Sequence, residues 1–299
     1  MNTQAGGKGV LDGTLLEYTK HLGTGAAGDV YKGLYEGNVV AIKVLSVKSQ
    51  EKEVEEFKKE FEILKAVRHT NVVYFFGVAM KPHLCMVMEF CARGSLHHVV
   101  SDPAGEIGWA RAISFCKQMT AGLKALHQNN PVILHRDLKS LNLLVSQDWV
   151  IKIADFGLSR FNTVENLETI KQMRGTYQYL DPEVYNGAPF KPPSDIYSMA
   201  VIFWELVMRV ITGNYQQPYG EFKNLQFDFQ IIIQSAKEDL RPTIHPNCPP
   251  LFKNLIVRCW HKAQVERPTL DQIAQSLDEI QETYQSSPQE WDSLKKIGS

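Results

Sequence analysis

The feature that most constrains this chain is the stretch from Ile133 to Leu158. It contains a two-residue apolar run, His135-Arg136-Asp137, Leu138-Lys139-Ser140-Leu141-Asn142, a hairpin pattern and Asp155-Phe156-Gly157. Ile133-Leu134 is too short for anything but a strand. Leu143-Leu144-Val145 and Val150-Ile151-Lys152-Ile153 flank Ser146-Gln147-Asp148-Trp149, the pattern of a tight hairpin. Such a hairpin carries Asn142 and Asp155 back toward each other. Solvated turn acids would leave the apolar walls beside each acid without a reason.

Mg²⁺ prefers a few oxygen ligands together with phosphate oxygens, and an acid outside the metal shell can orient a hydroxyl. The arrangement therefore suits metal-assisted phosphoryl transfer, with Asp155 and Asn142 as ligands and Asp137 as base. His-Arg-Asp-Leu-Lys-Ser-Leu-Asn followed by Asp-Phe-Gly resembles the catalytic and magnesium loops of eukaryotic protein kinases. Each triplet occurs by chance in many proteins; their order, spacing and strand context carry the resemblance. It implies an α+β, bilobal fold, with ATP and Mg²⁺ as cofactors and a protein as substrate.

Composition sets few further limits. With 299 residues, 44% apolar and 22% charged, the chain has the make-up of a globular enzyme. A formal net charge of −1 gives neither a basic stripe for nucleic acid nor a polybasic patch for membrane. No run reaches the ~18 apolar residues of a spanning helix, and the first residues do not read as a signal peptide. The expectation is a cytoplasmic protein with no nucleic-acid partner and no membrane insertion. The five cysteines are widely spaced without a C-x-x-C pair, which argues against a disulfide framework and a zinc site.

Residues 1–15 read as a flexible leader. Gly23-Thr24-Gly25-Ala26-Ala27-Gly28-Asp29-Val30 then gives G-x-G-x-x-G-x-V between two strand-like segments. Dinucleotide folds use a similar string to open a helix, but Asp29-Val30-Tyr31-Lys32 continues as a strand, so a phosphate-approaching glycine hairpin fits better. Lys43 interrupts the apolar strand Val39 to Leu45, and a buried ammonium needs a counter-charge. In the amphipathic helix expected over Glu51 to Arg68, Glu60 falls between Leu64 and Val67 on the apolar stripe, so Lys43 is paired with Glu60. Asn71 to Ala79 and Leu84 to Phe90 complete a small five-stranded antiparallel β lobe with one helix. By resemblance, ATP is enclosed by Leu22, Gly23, Thr24, Gly25, Ala26, Ala27, Gly28, Val30, Ala41 and Lys43, with Met88, Glu89, Cys91 and Leu144. Met88 would guard the back of the adenine pocket, and the backbone of Glu89 and Cys91 would meet the adenine edge.

From Ile107 the period becomes helical, marking a larger, mainly helical lobe. His135 reads as a packed histidine rather than a base. By resemblance, Arg136 receives an activation-loop phosphate, and Thr163, Thr169 and Thr176 in the polar segment that follows are regulatory candidates, with Thr169 first. Glu183 of Asp181-Pro182-Glu183 would pair with Arg267. Asp195 would bond the backbone of the His135-Arg136 turn or serve as an N-cap. The kinase domain is expected over 16–284, with an N-lobe over 16–90, a hinge over 89–94 and a C-lobe over 95–284. A polar, partly ordered tail occupies 285–299.

Lys139, two positions after Asp137, is suited to steadying the transferred phosphoryl and fits transfer to Ser/Thr. The hinge string, Cys-Pro-x-x-Leu and Cys-Trp…Arg-Pro-Thr resemble the tyrosine kinase-like group. The expected function is thus an ATP-dependent serine/threonine protein kinase, with dual specificity as the alternative. A pseudokinase scaffold and a small-molecule phosphotransferase are the rivals from other classes. Lys43, Glu60, Asp137, Asn142 and Asp155 together weigh against the first. The Gly175-Thr176…Pro182-Glu183 segment weighs against the second.

Overall fold

The computed structural model describes residues 9–25, 28–45, 61–156, 160–161, 177–225 and 227–295. Strands β1 (Gly9–Leu11), β2 (Leu16–Gly25), β3 (Gly28–Tyr35), β4 (Asn38–Leu45), β5 (Phe75–Ala79) and β6 (Cys85–Glu89) form one sheet in the order β1-β5-β6-β4-β3-β2. The sheet has six strands where five were expected. The extra strand, β1, pairs parallel with β5, setting Gly9 opposite Gly77 and Leu11 opposite Ala79, within the stretch read as a leader. Three residues opening on glycine show no alternation, so β1 has no signature of its own. A Cβ at Gly77 would stand 2.5 Å from the Gly9 carbonyl oxygen, so the missing side chain is what admits the strand.

Alternation in β4 sorts its side chains between the two faces. Val40 and Ile42 are fully buried with Leu16, Cys85 and Val87, while Ala41 and Lys43 are only partly covered on the other face. Of the helix expected over 51–68, residues 61–66 are helical (α1); 51–60, with Glu60, lie outside the described residues. Phe61 meets Phe75 edge to face at 5.5 Å. Asn71 to Tyr74 does not join β5 as expected. It runs beside the second lobe instead: Val72 bridges Ile153, and the Val73 N–H donates to the Ile153 carbonyl at 2.9 Å.

The second lobe is mainly helical: α2 (Leu96–Ser101), α3 (Trp109–His127), α4 (Pro182–Tyr185), α5 (Pro192–Thr212), α6 (Asp228–Lys237), α7 (Pro250–Cys259), α8 (Leu270–Ser286) and α9 (Pro288–Ser293). Ile113, Cys116, Thr120, Leu123 and Leu126 share the buried face of α3, as their spacing predicts. Helix α5 is buried from Ser194 through Ile211 and stops where Gly213 takes a left-handed conformation at φ 72°. Between the lobes lie β7 (Ile133–Leu134), paired with β10 (Arg160–Phe161), and the hairpin β8 (Leu143–Val145) with β9 (Ile151–Ile153). That hairpin forms where expected, with Val145 opposite Ile151 and Val150 falling in the turn.

The chain end departs from expectation. Residues 288–293 form α9, and Trp291 is buried, edge-on to Trp109 at 5.2 Å, with its carbonyl accepting from the Trp109 indole N–H at 2.8 Å. One tryptophan in a polar segment carries no periodicity, so the docking could not be read from pattern. Trp291→Ala is expected to cost about 3 kcal/mol of stability, measured by urea denaturation. A loss below about 1 kcal/mol would mean that α9 adds little to the domain.

Candidate active site

The His135-Arg136-Asp137 turn is an unusual piece of backbone. Arg136 stands at φ 67°, which costs free energy in a side-chain-bearing residue, so the surroundings must hold it. Asp195 of α5 supplies that hold. Its carboxylate accepts from the N–H groups of His135 at 3.0 Å and Arg136 at 2.9 Å, and bonds His127 Nε2 at 2.9 Å. Burial opposes its ionisation, but the hydrogen bond and charge of His127, the nearby His135 and the Arg136 N–H outweigh it. The carboxyl is held below the usual aspartate range. The N-cap position belongs to Lys191, so the backbone-holding role is the one Asp195 fills.

His135 is fully buried, as expected of a packed side chain. Its Nε2 bonds the Ala154 carbonyl at 3.0 Å and its Nδ1 accepts from the Asp137 N–H at 3.4 Å. Asp137 itself is held on one side only. Its Oδ2 takes Lys139 Nζ at 2.7 Å and Asn142 Nδ2 at 2.9 Å, while its Oδ1 is buried and has no hydrogen-bond partner among the described residues. Asn142 Nδ2 also donates to the Asp137 carbonyl at 2.8 Å. With both amide protons spent on Asp137, Asn142 keeps its Oδ1 as an acceptor.

The β8–β9 hairpin returns the chain to this point, where the Ala154 N–H donates to the Asn142 carbonyl at 3.0 Å. Asp155 follows at φ 61° with an exposed side chain, and Phe156 is buried with its ring 5.3 Å from that of His135. The donor set fits Mg²⁺. It offers one carboxylate and one amide oxygen, and among the described residues no cluster of three or more His, Cys, Asp or Glu forms a cage that would hold a metal by itself. Phosphate oxygens would complete such a shell.

Above this floor, Gly25 pairs with Gly28 to close the glycine hairpin; Ala26 and Ala27 lie outside the described residues. Val30 faces Lys43 across β3 and β4, and Ala41 faces Met88 across β4 and β6. Leu22, Val30, Ala41, Met88 and Leu144 are all partly or fully exposed apolar side chains, on elements of both lobes. Five such side chains suit the walls of a cleft for a flat apolar ring. Cys91 is not a reactive thiol there: burial, with the Glu89 charge adding, pushes it up to about 12.

A family model described as protein tyrosine and serine/threonine kinase matches residues 16–277. The chain belongs to this family. It is 53% identical to the stress-activated protein kinase alpha of Dictyostelium discoideum, over 95% of this chain and 45% of that protein. A probable serine/threonine-protein kinase of the same organism is 49% identical, over 95% of this chain and 34% of that one. A probable tyrosine-protein kinase, again from that organism, is 36% identical over 93% of this chain and 84% of its own length. The chain thus spans less than half the length of the first two.

Under the kinase catalytic loop lies an acid that sequence reasoning missed. Glu205 of α5 is fully buried, and its Oε1 accepts from Ser140 Oγ and the Tyr215 hydroxyl, each at 3.0 Å, while Oε2 has no partner. Burial raises its carboxyl to about 7, and the Tyr215, Ser140 and Tyr179 hydroxyls only moderate the shift. The available signal was a carboxylate midway along a helix that is apolar nearly all round.

The Asp181-Pro182-Glu183 segment brings a correction. Arg267 does not pair with Glu183; its guanidinium forks onto Asp181, Nη1 to Oδ2 at 2.7 Å and Nη2 to Oδ1 at 2.8 Å, with neither side chain exposed. Asp181 caps α4 and accepts from Gln264 Nε2, while Glu183 accepts from the Gln264 backbone N–H. The shorter acid sits at the buried N-cap and meets the fork; the longer one, two residues on, is half-buried. Arg136 is buried with its guanidinium 5.8 Å from the Phe190 ring; Thr163, Thr169 and Thr176, and with them the expected phosphate contacts, lie outside the described residues.

Asp181→Ala is expected to destabilise the domain by about 3–5 kcal/mol, because it strands a buried guanidinium. Glu183→Gln should cost far less in the same denaturation experiment; equal losses would return the pair to Glu183. For Glu205, the folded value near 7 lies above the ordinary 4.5. Between the two the native state holds a proton the unfolded chain has released, so this group's contribution is complete below the lower value and is lost as pH rises through the higher. Glu205→Gln does not titrate there, so its stability relative to wild type should rise by on the order of 3 kcal/mol from about pH 5 to about pH 8. A pH-independent difference would mean that Glu205 titrates normally.

Proposed function

We propose that the chain is an ATP-dependent serine/threonine protein kinase domain of the tyrosine kinase-like group, acting in the cytoplasm on protein hydroxyls. The observation that carries the reading is the one-sided hold on Asp137: Lys139 and Asn142 take Oδ2 and leave the buried Oδ1 free to accept a proton. The relative named a probable serine/threonine-protein kinase supports the choice of acceptor. Five free, buried cysteines suit a reducing compartment.

In this reading the glycine hairpin from Gly23 to Val30 covers the phosphates, Lys43 binds them, and Glu60 fixes Lys43. Asn142 Oδ1 and Asp155 hold Mg²⁺, which would neutralise the charge gathered on the phosphates. Asp137 Oδ1 orients the acceptor hydroxyl and takes its proton. Lys139, 2.7 Å from Asp137, also faces the incoming phosphoryl oxygens. Phosphorylation at Thr163, Thr169 or Thr176 would place a dianion for Arg136, and the left-handed turn at Arg136 would transmit the ordering to Asp137.

Dual specificity is the second reading, favoured by the relative named a tyrosine-protein kinase. The test is phosphate transfer from ATP and Mg²⁺ to mixed peptides by wild type and Asp137→Asn, with modified residues located by mass spectrometry. Wild type should modify Ser and Thr, and Asp137→Asn should lose roughly 10²–10⁴ in rate while still binding ATP. Modified tyrosines would establish the second reading. ATP binding without transfer by either protein, even after treatment with an activating kinase, would make the domain a scaffold.

A further inference from the structure

The hinge carries a charge that the phosphoryl-transfer chemistry does not use. Glu89, at the end of β6, is an acid on the strand that leads into the adenine edge, yet its side chain does not point to solvent. Its Oε1 accepts from the Tyr74 N–H at 2.6 Å and from Lys152 Nζ at 2.8 Å, and its own N–H donates to the Tyr74 carbonyl at 2.9 Å. The Lys152 side chain is 12% exposed and that of Glu89 23%, so water screens the pair only in part.

Lys152 belongs to the other lobe. It is the middle residue of β9 and stands directly across from Leu144, so the two side chains share one face of the hairpin. Leu144 is among the residues read as enclosing ATP, and the backbone of its strand also carries the hinge's exit. The Val145 N–H donates to the Gly94 carbonyl at 2.8 Å, and the Arg93 N–H to the Val145 carbonyl at 3.1 Å. On the far side of Lys152, the Ile153 N–H donates to the Asn71 carbonyl at 2.9 Å. Backbone bonds therefore stitch the hinge's exit to β8 and the segment leading into β5 to β9. Lys152 is a side-chain tie between hinge and hairpin, reaching the residue whose backbone the nucleotide would meet.

We propose that Lys152 is a positioning residue for the nucleotide: through Glu89 it fixes the hinge backbone above Leu144, and so sets affinity for ATP without taking part in phosphoryl transfer. Without the ammonium, the carboxylate keeps only the Tyr74 N–H, and the hinge strand can shift relative to Leu144. The proposal rests on the reading of Glu89, Cys91 and Leu144 as adenine contacts. It predicts an effect confined to one kinetic constant, since the catalytic turn is held separately by Asp195.

The test compares Lys152→Met, Lys152→Arg and Glu89→Gln with wild type for kcat, KM for ATP and KM for peptide. Lys152→Met should raise KM for ATP roughly tenfold, with kcat and peptide KM within about twofold. Lys152→Arg should restore most of the affinity, and the double variant Lys152→Met/Glu89→Gln should be no worse than the worse single. An ATP KM within about twofold of wild type, or a fall in kcat alone, would overturn the proposal. If Lys152→Met does not fold, Glu89→Gln, which keeps its acceptor for Tyr74, decides on the same criterion. Ala41→Ile separates the two readings, because it fills the cleft without touching the pair. If it raises KM for ATP and Lys152→Met does not, the brace alone fails; if neither does, the pocket reading fails with it.

Discussion

The catalytic machinery depends on one buried carboxylate. Asp195 accepts from two successive backbone N–H groups and from a histidine, and those bonds hold Arg136 in a conformation its side chain disfavours. Without that conformation, His135 and Asp137 would not face the same side of the loop. Everything downstream inherits the geometry: the His135 bond to Ala154, the position of Asp155 one residue later, and the hold of Lys139 and Asn142 on Asp137. A buried aspartate costs desolvation, and here three donors offset it. Helix α5 can carry it because the rest of that helix is apolar and packed, so the carboxylate has no freedom to find water.

Much of this was legible in the sequence because the relevant signals are local. The β8–β9 hairpin is written in two apolar runs around a polar turn, and the motif spacing places Asp137, Asn142 and Asp155 on its approaches. The buried face of α3 follows from a 3.6-residue period over five turns. Lys43 and Ala41 share a face of β4 by simple alternation. What was not legible is long-range or brief. Strand β1 has three residues and no pattern, and α9 is recognised only through the contact of Trp291 with Trp109, 182 residues away. The choice of Asp181 over Glu183 for Arg267 turns on which acid occupies a buried cap, a fact that two acids in succession do not reveal.

Three acids that pattern alone would leave undistinguished take three different roles by environment. Asp195 is held below the usual aspartate range by its donors, Asp181 receives a guanidinium fork with neither side chain exposed, and burial pushes Glu205 toward its neutral form, which its hydroxyl donors only moderate. Their shared neighbour is α5. Asp195 and Glu205 lie on it, and Arg267, bound to Asp181, also donates to the Pro193 carbonyl in its first turn. The catalytic loop and the Asp181-Pro182-Glu183 segment thus rest on one helix without touching the same residue.

This division bears on how the two lobes can move without disturbing the chemistry. The bonds that set Asp137 come from Lys139 and Asn142 in its own loop, and those that hold its turn come from α3, α5 and the chain leaving the β8–β9 hairpin. The bonds that set the hinge arise between β5, β6 and that hairpin, and share with the first group only Ile153 and its neighbours. A shift of the small lobe about Glu89 would change how the cleft meets a nucleotide while leaving the Arg136 turn intact. Conversely, loss of the Asp195 bonds would release the turn without breaking those at Glu89. The Arg136 turn and the hinge are thus held by different sets of hydrogen bonds that meet at one short hairpin.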